Sequence, residues 1–297
     1  MLSEHLGCGP TEEAVYARRL DSEPADYAAD LLRATGTELL LVDDGYPTED
    51  VGTSWRELGA LAGCPSRPVM RIERVAEGPA SSLDALRAEV SSARARGFAA
   101  LKTIVAYRGG LDLDALGPPT RADRLEGAPL RDVLIAALEA NESCDAPLPL
   151  QVHTGFGDSD LFLPRARPAL LKPLIERFRN TTFVLLHCYP FVREAGWLAH
   201  VYGNVFCDLS LTIPHVARPA TVLAEALELA PISKLLYASD AALAPELYFL
   251  AATWWRDALA AVLPEALPAG SVRPAARMIM RENALALYRL DATRSDS

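Results

Sequence analysis

With 297 residues, half of them apolar, the chain is long enough for two average domains or for one (β/α)₈ barrel of about 250 residues. No apolar run approaches the roughly 18 residues of a membrane span, and the start MLSEHLGCGP lacks the basic and apolar regions of a signal peptide. A cytoplasmic protein with no membrane partner is therefore expected. The formal charge of −10 comes with scattered arginines and argues against a nucleic-acid partner, because phosphate binding needs clustered Lys and Arg. The five cysteines (Cys8, Cys64, Cys144, Cys188 and Cys207) form no Cys-x-x-Cys pair and read as reduced thiols rather than a disulfide framework.

The chain opens on a helical pattern from Thr11 to about Ala34. Seven strand-like apolar runs follow: 37–43, 67–75, 97–107, 148–154, 181–188, 204–211 and 234–240. Between them lie helical patterns at Ser82–Arg96, Leu130–Asn141, Pro168–Phe178, Glu194–Tyr202, Ala220–Leu229 and Pro245–Val262. Strands alternating with helices of ten or more residues indicate βαβ units and a parallel sheet. Several runs are apolar along most of their length, as expected where helices cover the outside. Gly109–Gly127, with two prolines and several charges, reads as a long loop. The expected fold is α/β, a (β/α)₈ TIM barrel that is incomplete: a helix precedes the first visible strand, so strand one is expected upstream of Met1. An open doubly wound sheet is the alternative. Residues 1–290 are expected to form this one barrel and 291–297 a frayed tail.

In a parallel barrel the functional groups sit at the C-terminal ends of the strands. Three runs end in a residue that can bind metal: LPLQVHT in His153, FVLLHC in His187, and LLYASD in Asp240. Imidazoles and a carboxylate suit zinc and related divalent ions. Period-two alternation groups Gln151 with His153, Phe183 and Leu185 with His187, and Leu236 and Ala238 with Asp240, each set facing inward. The plainer readings are a hydrogen-bonded histidine in each case, and for Asp240 the N-cap of the next helix.

Lys102 lies inside the apolar GFAALKTIVAY, where an ammonium needs a partner, a metal-bridging carbamate, an anion or a route to water. Arg71 and Glu73, two apart in VMRIERV, share a face as an internal ion pair or as part of the active-site floor. Tyr107 and Arg108 are placed to hold a substrate carboxylate, for which arginine forks are suited. His215, in LTIPHV, lies on the loop side where substrate binds. His5 and His200 read as structural or exposed. Cys188 adjoins His187, but adjacent strand residues point oppositely.

The segments HTGFGD, HCYPFVREAG and YASD, with LKTIVAYRGGL, LLVDDGYP and the Glu-Asn pair at 282–283, together resemble the amidohydrolase superfamily over essentially the whole chain. The similarity is closest to the amidohydrolase-2 branch, which includes the domain of FluG- and nodulin-type proteins. The resemblance implies a divalent metal, zinc foremost with manganese or iron as alternatives, at the mouth of the barrel. His153 and His187 fall at the positions of the ligand histidines. Asp240 falls where the family's aspartate binds metal or takes a proton from the attacking water, and Lys102 at a position that some members carbamylate. The family's strand-one His-x-His pair has no match here.

The resulting expectation is metal-assisted hydrolysis of a C–N bond in a small, amide-type molecule, with Asp240 and Lys102 as catalytic groups. A non-oxidative decarboxylase and an inactive barrel serving as a binding module are the alternatives. The barrel gap would also invite a homo-oligomer.

Overall fold

The computed structural model describes residues 1–45, 52–78, 82–113 and 130–290. Most of the long loop expected over 109–127, and the tail at 291–297, lie outside them. Within the described residues the seven expected runs each contain a strand. They are β1 (Leu40–Val42), β2 (Ser66–Arg71), β3 (Ala100–Thr103), β4 (Leu150–Thr154), β5 (Phe183–His187), β6 (Val205–Asp208) and β7 (Leu235–Leu236). They pair in chain order, all parallel, so β1 and β7 are the two edges of one sheet. The chain opens on helices Leu2–Leu6, Glu12–Leu20 and Pro24–Ala34, the second capped by Thr11, whose hydroxyl accepts from the Ala14 amide.

The strands are shorter than their runs, for local reasons. The second run stops at Arg71 because Ile72–Glu77 turns into a helix. The seventh is a strand only at Leu235–Leu236, after which Tyr237 N–H donates to Ile279 O, across to a π-helical turn at Met278–Glu282. Helix Trp55–Ala62 was not foreseen, although its Ser54–Glu57 capping box is readable in the sequence.

Each strand faces two ways. Met70, Leu101, Leu150, Val152, Phe183, Leu185, Val205 and Cys207 pack outward into the large core beneath the helices. Val69, Ala100, Val184, Leu186 and Leu236 face inward and pack with Tyr288. Tyr288 enters this inner layer from the C-terminal helix Asn283–Tyr288, its hydroxyl accepting from Gln151 Nε2 at 3.0 Å. Asn283 ties that helix to β7 by donating to Ile232 O at 2.7 Å and Leu235 O at 2.8 Å. Asn283 of the Glu-Asn pair that carries part of the resemblance thus anchors helix Asn283–Tyr288.

The seam between β1 and β7 is bridged by helices while the two strands stay unpaired. Helix Pro24–Ala34 packs against helix Pro245–Ala266. Across this contact Tyr27 Oη donates to Glu246 Oε1 at 2.8 Å and the Arg256 guanidinium donates to Thr35 O, while Arg281 of the π-helical turn pairs with Glu38 just before β1 at 2.7 Å. No helix among the described residues is long and apolar enough to cross a membrane.

Candidate active site

The inward row of side chains at the C-terminal strand ends is chemically dense. Arg71, Lys102, His153 and Asp208, from β2, β3, β4 and β6, line one cavity of about 1800 Å³, which Asp43 joins just beyond β1. Four of them stand at even spacing from an inner-core residue, Asp43 from Leu41, Arg71 from Val69, Lys102 from Ala100 and Asp208 from Phe206, and His153 stands so from Gln151, which donates to Tyr288. Arg71 and Lys102 are register partners on neighbouring strands, as are Lys102 and Gln151.

His187 reaches the mouth differently. The expected inward grouping of His187 with Phe183 and Leu185 is wrong, because those two residues pack outward under the helices and Val184 and Leu186 face inward. His187 and Cys188 adopt left-handed backbone, with φ of 67° and 65°, which breaks the alternation at the strand end. His187 lines the cavity beside Leu186, while the Cys188 thiol turns into the core and donates to Leu185 O. Asp240 is left-handed as well, at φ 51°. Such backbone in non-glycine residues is costly and gathers at functional sites.

The two imidazoles meet. The His153 and His187 ring centroids are 4.6 Å apart, and Tyr107 lies 4.6 Å from His153 on its other side. Both Nε2 atoms are buried and without a hydrogen-bond partner among the described residues. Burial holds His153 neutral, pushing its pKa down to about 2, with the nearby His187 and Lys102 adding to the effect. Burial and then Lys102 likewise push the His187 pKa well below its ordinary value. Asp240 Oδ2 lies 3.8 Å from His187 Nε2, too far for a hydrogen bond but facing the same space. Trp255, fully buried on helix Pro245–Ala266, steadies this approach by donating from Nε1 to Ala238 O at 3.1 Å.

The fit to a divalent ion rests on the orphaned Nε2 pair, whose buried lone pairs otherwise face a desolvation cost. The two imidazoles fit such an ion, and Asp240 is the adjacent carboxylate. Among the described residues no group of three His, Cys, Asp or Glu side chains is gathered closely enough to form a complete ligand set.

The cationic wall is built around Asp43. Arg71 donates to Asp43 Oδ2 through Nε at 2.9 Å and Nη2 at 2.7 Å, and Lys102 Nζ stands 3.9 Å from the same oxygen. The expected Arg71–Glu73 pairing on one strand face is therefore corrected. Glu73 belongs to helix Ile72–Glu77 and accepts from Thr103 Oγ1 at 2.6 Å and the Ile104 amide at 2.9 Å. Its other oxygen, Oε2, is buried without a partner, and burial raises its pKa. Arg108 is half exposed and pairs with Glu77 at 3.4 Å on the rim. His215 is exposed on the same rim, its Nδ1 2.8 Å from Leu211 O.

Two glycines of HTGFGD allow the close approach. Gly155 has φ 73°, and a Cβ there would lie 2.3 Å from Tyr189 O. A Cβ on Gly157 would lie 1.8 Å from Tyr107 Oη, so this position must be bare for Tyr107 to reach the His153 ring. The Asp158 amide donates to Tyr107 Oη at 3.1 Å and completes the contact.

Strand-end reasoning missed Asp43 and Asp208. Asp43 closes the run ending LLVD, and Asp208 ends strand β6 at VFCD, inside the run 204–211. Asp208 is buried behind His187. Its Oδ1 accepts from the His187 amide at 2.9 Å, the Ser210 amide at 3.0 Å and Ser210 Oγ at 2.8 Å.

A parallel α/β sheet wound as an incomplete barrel, with two imidazoles at its C-terminal mouth whose Nε2 atoms have no partner among the described residues, defines the class. The amidohydrolase family model matches residues 9–290, and the chain belongs to that family. It is 32% identical to protein FluG of Emericella nidulans, over 94% of this chain and 38% of FluG, so it spans well under half of that relative. The crystal structure of a chain from Lactobacillus casei ATCC 334, named by inference a metal-dependent hydrolase, matches at 28% identity with a TM-score of 0.83. That match covers 99% of this chain and 84% of the other. An uncharacterized TIM-barrel protein from Bordetella bronchiseptica, 17% identical with a TM-score of 0.56 over 99% of this chain and 90% of its own, shares the fold.

Proposed function

We propose that the chain is a metal-dependent hydrolase that cleaves a C–N, amide-type bond of a small molecule. The observation that carries this reading is the pair of buried, unpartnered Nε2 atoms on adjoining imidazoles at the strand ends. His153 and His187 would hold a divalent ion, zinc first, with Asp240 beside them. When bound there, the ion supplies a Lewis acid that polarises a carbonyl and acidifies water.

The remaining work belongs to the chain itself. Asp240, partly exposed to the cavity, accepts the proton of the attacking water and returns it to the leaving nitrogen. Lys102 and Arg71 give their wall of the cavity a positive character that favours a substrate bearing a carboxylate. Tyr107 closes over His153 and narrows the path of water to the reacting bond. Arg108, Glu73 and His215 line the same cavity and would touch the rest of the substrate. The cationic wall also favours a second reading, non-oxidative decarboxylation of a carboxylate held by Lys102 and Arg71.

Protein loaded with zinc and incubated with a panel of N-acyl amino acids, primary amides and aromatic carboxylates distinguishes the readings. Amine or ammonia release that disappears in His187→Ala supports hydrolysis. Carbon dioxide release without amine supports the second reading, and no turnover of either kind would overturn both.

A further inference from the structure

We infer that Asp208 and Ser210 are positioning residues that fix the tautomer of His187, keeping its proton on Nδ1 and leaving Nε2 as a bare lone pair toward the cavity. The consequence for binding rests on the role proposed for His187, but the tautomer itself can be read without any activity.

The argument is one of donors and acceptors. Asp208 Oδ1 receives the amide protons of His187 and Ser210 at 2.9 and 3.0 Å, and amides can only donate. That oxygen is therefore an acceptor whatever the charge of the carboxyl group. Ser210 Oγ lies 2.8 Å from the same oxygen and so must give its one proton there, since two lone pairs facing each other at that distance would repel. The Ser210 oxygen is then left as an acceptor toward His187 Nδ1, 2.7 Å away, and the proton in that bond must come from the ring. One contact points the other way: the Leu211 amide lies 3.4 Å from Nδ1 and would donate to an unprotonated nitrogen. It is 0.7 Å longer than the serine contact and beyond the ordinary range of N–H···N or N–H···O bonds, so the serine decides.

The same network holds the ring in place. Asp208 and Ser210 are 2% and 1% exposed, and the Thr212 hydroxyl donates to His187 O at 2.7 Å. The left-handed backbone that turns His187 into the mouth is thus pinned from the β6 side. An outer partner that sets a ring's tautomer and orientation typically changes metal affinity by about 10–100-fold when removed.

The test is the ¹⁵N spectrum of protein labelled at its five histidines, with the His187 signals identified by their loss in His187→Gln. In the metal-free wild type, Nδ1 of His187 is expected to carry the proton and Nε2 to show the shift of an unprotonated nitrogen. Ser210→Ala should shift population to the Nε2–H form and weaken zinc binding by about tenfold or more, while Ser210→Thr, which keeps the hydroxyl, restores both. Asp208→Asn keeps the Oδ1 acceptor and should leave the tautomer unchanged. A wild-type His187 protonated on Nε2 would overturn the inference whether or not any variant folds. So would a Ser210→Ala variant whose His187 remains in the Nδ1–H form. If the tautomer is as stated but no divalent ion binds, the proposed hydrolase fails and the positioning role stands.

Discussion

His153 and His187 face each other with ring centroids 4.6 Å apart, yet they arrive at the mouth by different routes. His153 follows the alternation of β4, whereas His187 is turned inward by left-handed backbone at the end of β5. Two routes that converge on a shared, unpartnered pair of nitrogens would be an odd expense for packing alone, and they are the physical core of the functional reading.

Metal binding should stabilise the protein through this pair. Zinc at a hundred times its dissociation constant would add about 2.7 kcal/mol to the unfolding free energy, since a ligand that binds only the native state stabilises by mass action. Thermal melts with and without zinc should show the increase in wild type and its loss in both His153→Ala and His187→Ala. An unchanged increase in the variants would place the ion elsewhere.

The Arg71–Asp43 pair should be a structural requirement as well as a wall of the site. Their side chains are 14% and 11% exposed, and Arg71→Met would leave the Asp43 carboxylate with Lys102 at 3.9 Å and the Gly45 amide at 3.1 Å. Removing one partner of a fully buried pair costs about 3–5 kcal/mol, and this partly buried pair should cost a fraction of that. Arg71→Lys keeps the charge but loses the two-pronged contact and should cost part of this. Urea unfolding of the two variants would show equal and negligible losses if the pair were idle.

Metal-free protein should lose the stability contributed by its two buried imidazoles as pH falls from 7 to 5. The folded pKa values of His153 (about 2) and His187 lie below the unfolded value of 6.5, so the unfolded chain takes up protons that the folded chain refuses. Their contribution is intact above 6.5 and shrinks as pH falls below it. Asp208 works in the opposite sense: burial lifts its pKa from 3.8 to about 6, so folding is favoured at lower pH and this contribution fades as pH rises through 6. Glu73, whose carboxyl pKa burial also raises, works in the same sense as Asp208, and the two histidines oppose both, each by at most about 1.4 kcal/mol per pH unit below 6.5. Wild-type denaturant midpoints that fall no more steeply from pH 7 to pH 5 than those of the double variant His153→Gln, His187→Gln would contradict the neutral, buried state of the imidazoles.

Gly157→Ala should inactivate more than it unfolds. Its Cβ would overlap Tyr107 Oη, and the side chain would be driven off His153. The expected result is a large fall in kcat/KM with a melting temperature within a few degrees of wild type. Gly155→Ala combines φ 73° with a clash on Tyr189 O and should lower stability itself, by about 1–3 kcal/mol. Similar melting curves for the two variants would show that the two glycines do not divide in this way.

Much of this was legible in the sequence because a parallel barrel writes its strands as separate apolar runs. The seven runs appear as seven strands in chain order, and alternation within LPLQVHT correctly turned His153 inward. The same rule misplaced the inward face of β5. Periodicity assumes extended backbone to the end of a run, and nothing local in FVLLHC announces a left-handed histidine. Arg71 and Glu73 were joined in one strand for the same reason, since VMRIERV carries no breaker where the helix begins at Ile72. Asp43 ends its run and Asp208 lies inside 204–211, and nothing local in either segment distinguishes a carboxylate that holds a cation or a ring from a solvated one. Tyr288 in the inner layer could not be read at all: its placement depends on where the last helix lies across an open sheet edge.

The most direct measurement is anomalous X-ray scattering at the zinc edge from crystals grown with one equivalent of zinc. The account predicts a single strong peak within bonding distance of both His153 Nε2 and His187 Nε2, with Asp240 on the same side. A peak at any other place, or no peak at zinc concentrations that saturate related sites, would contradict it.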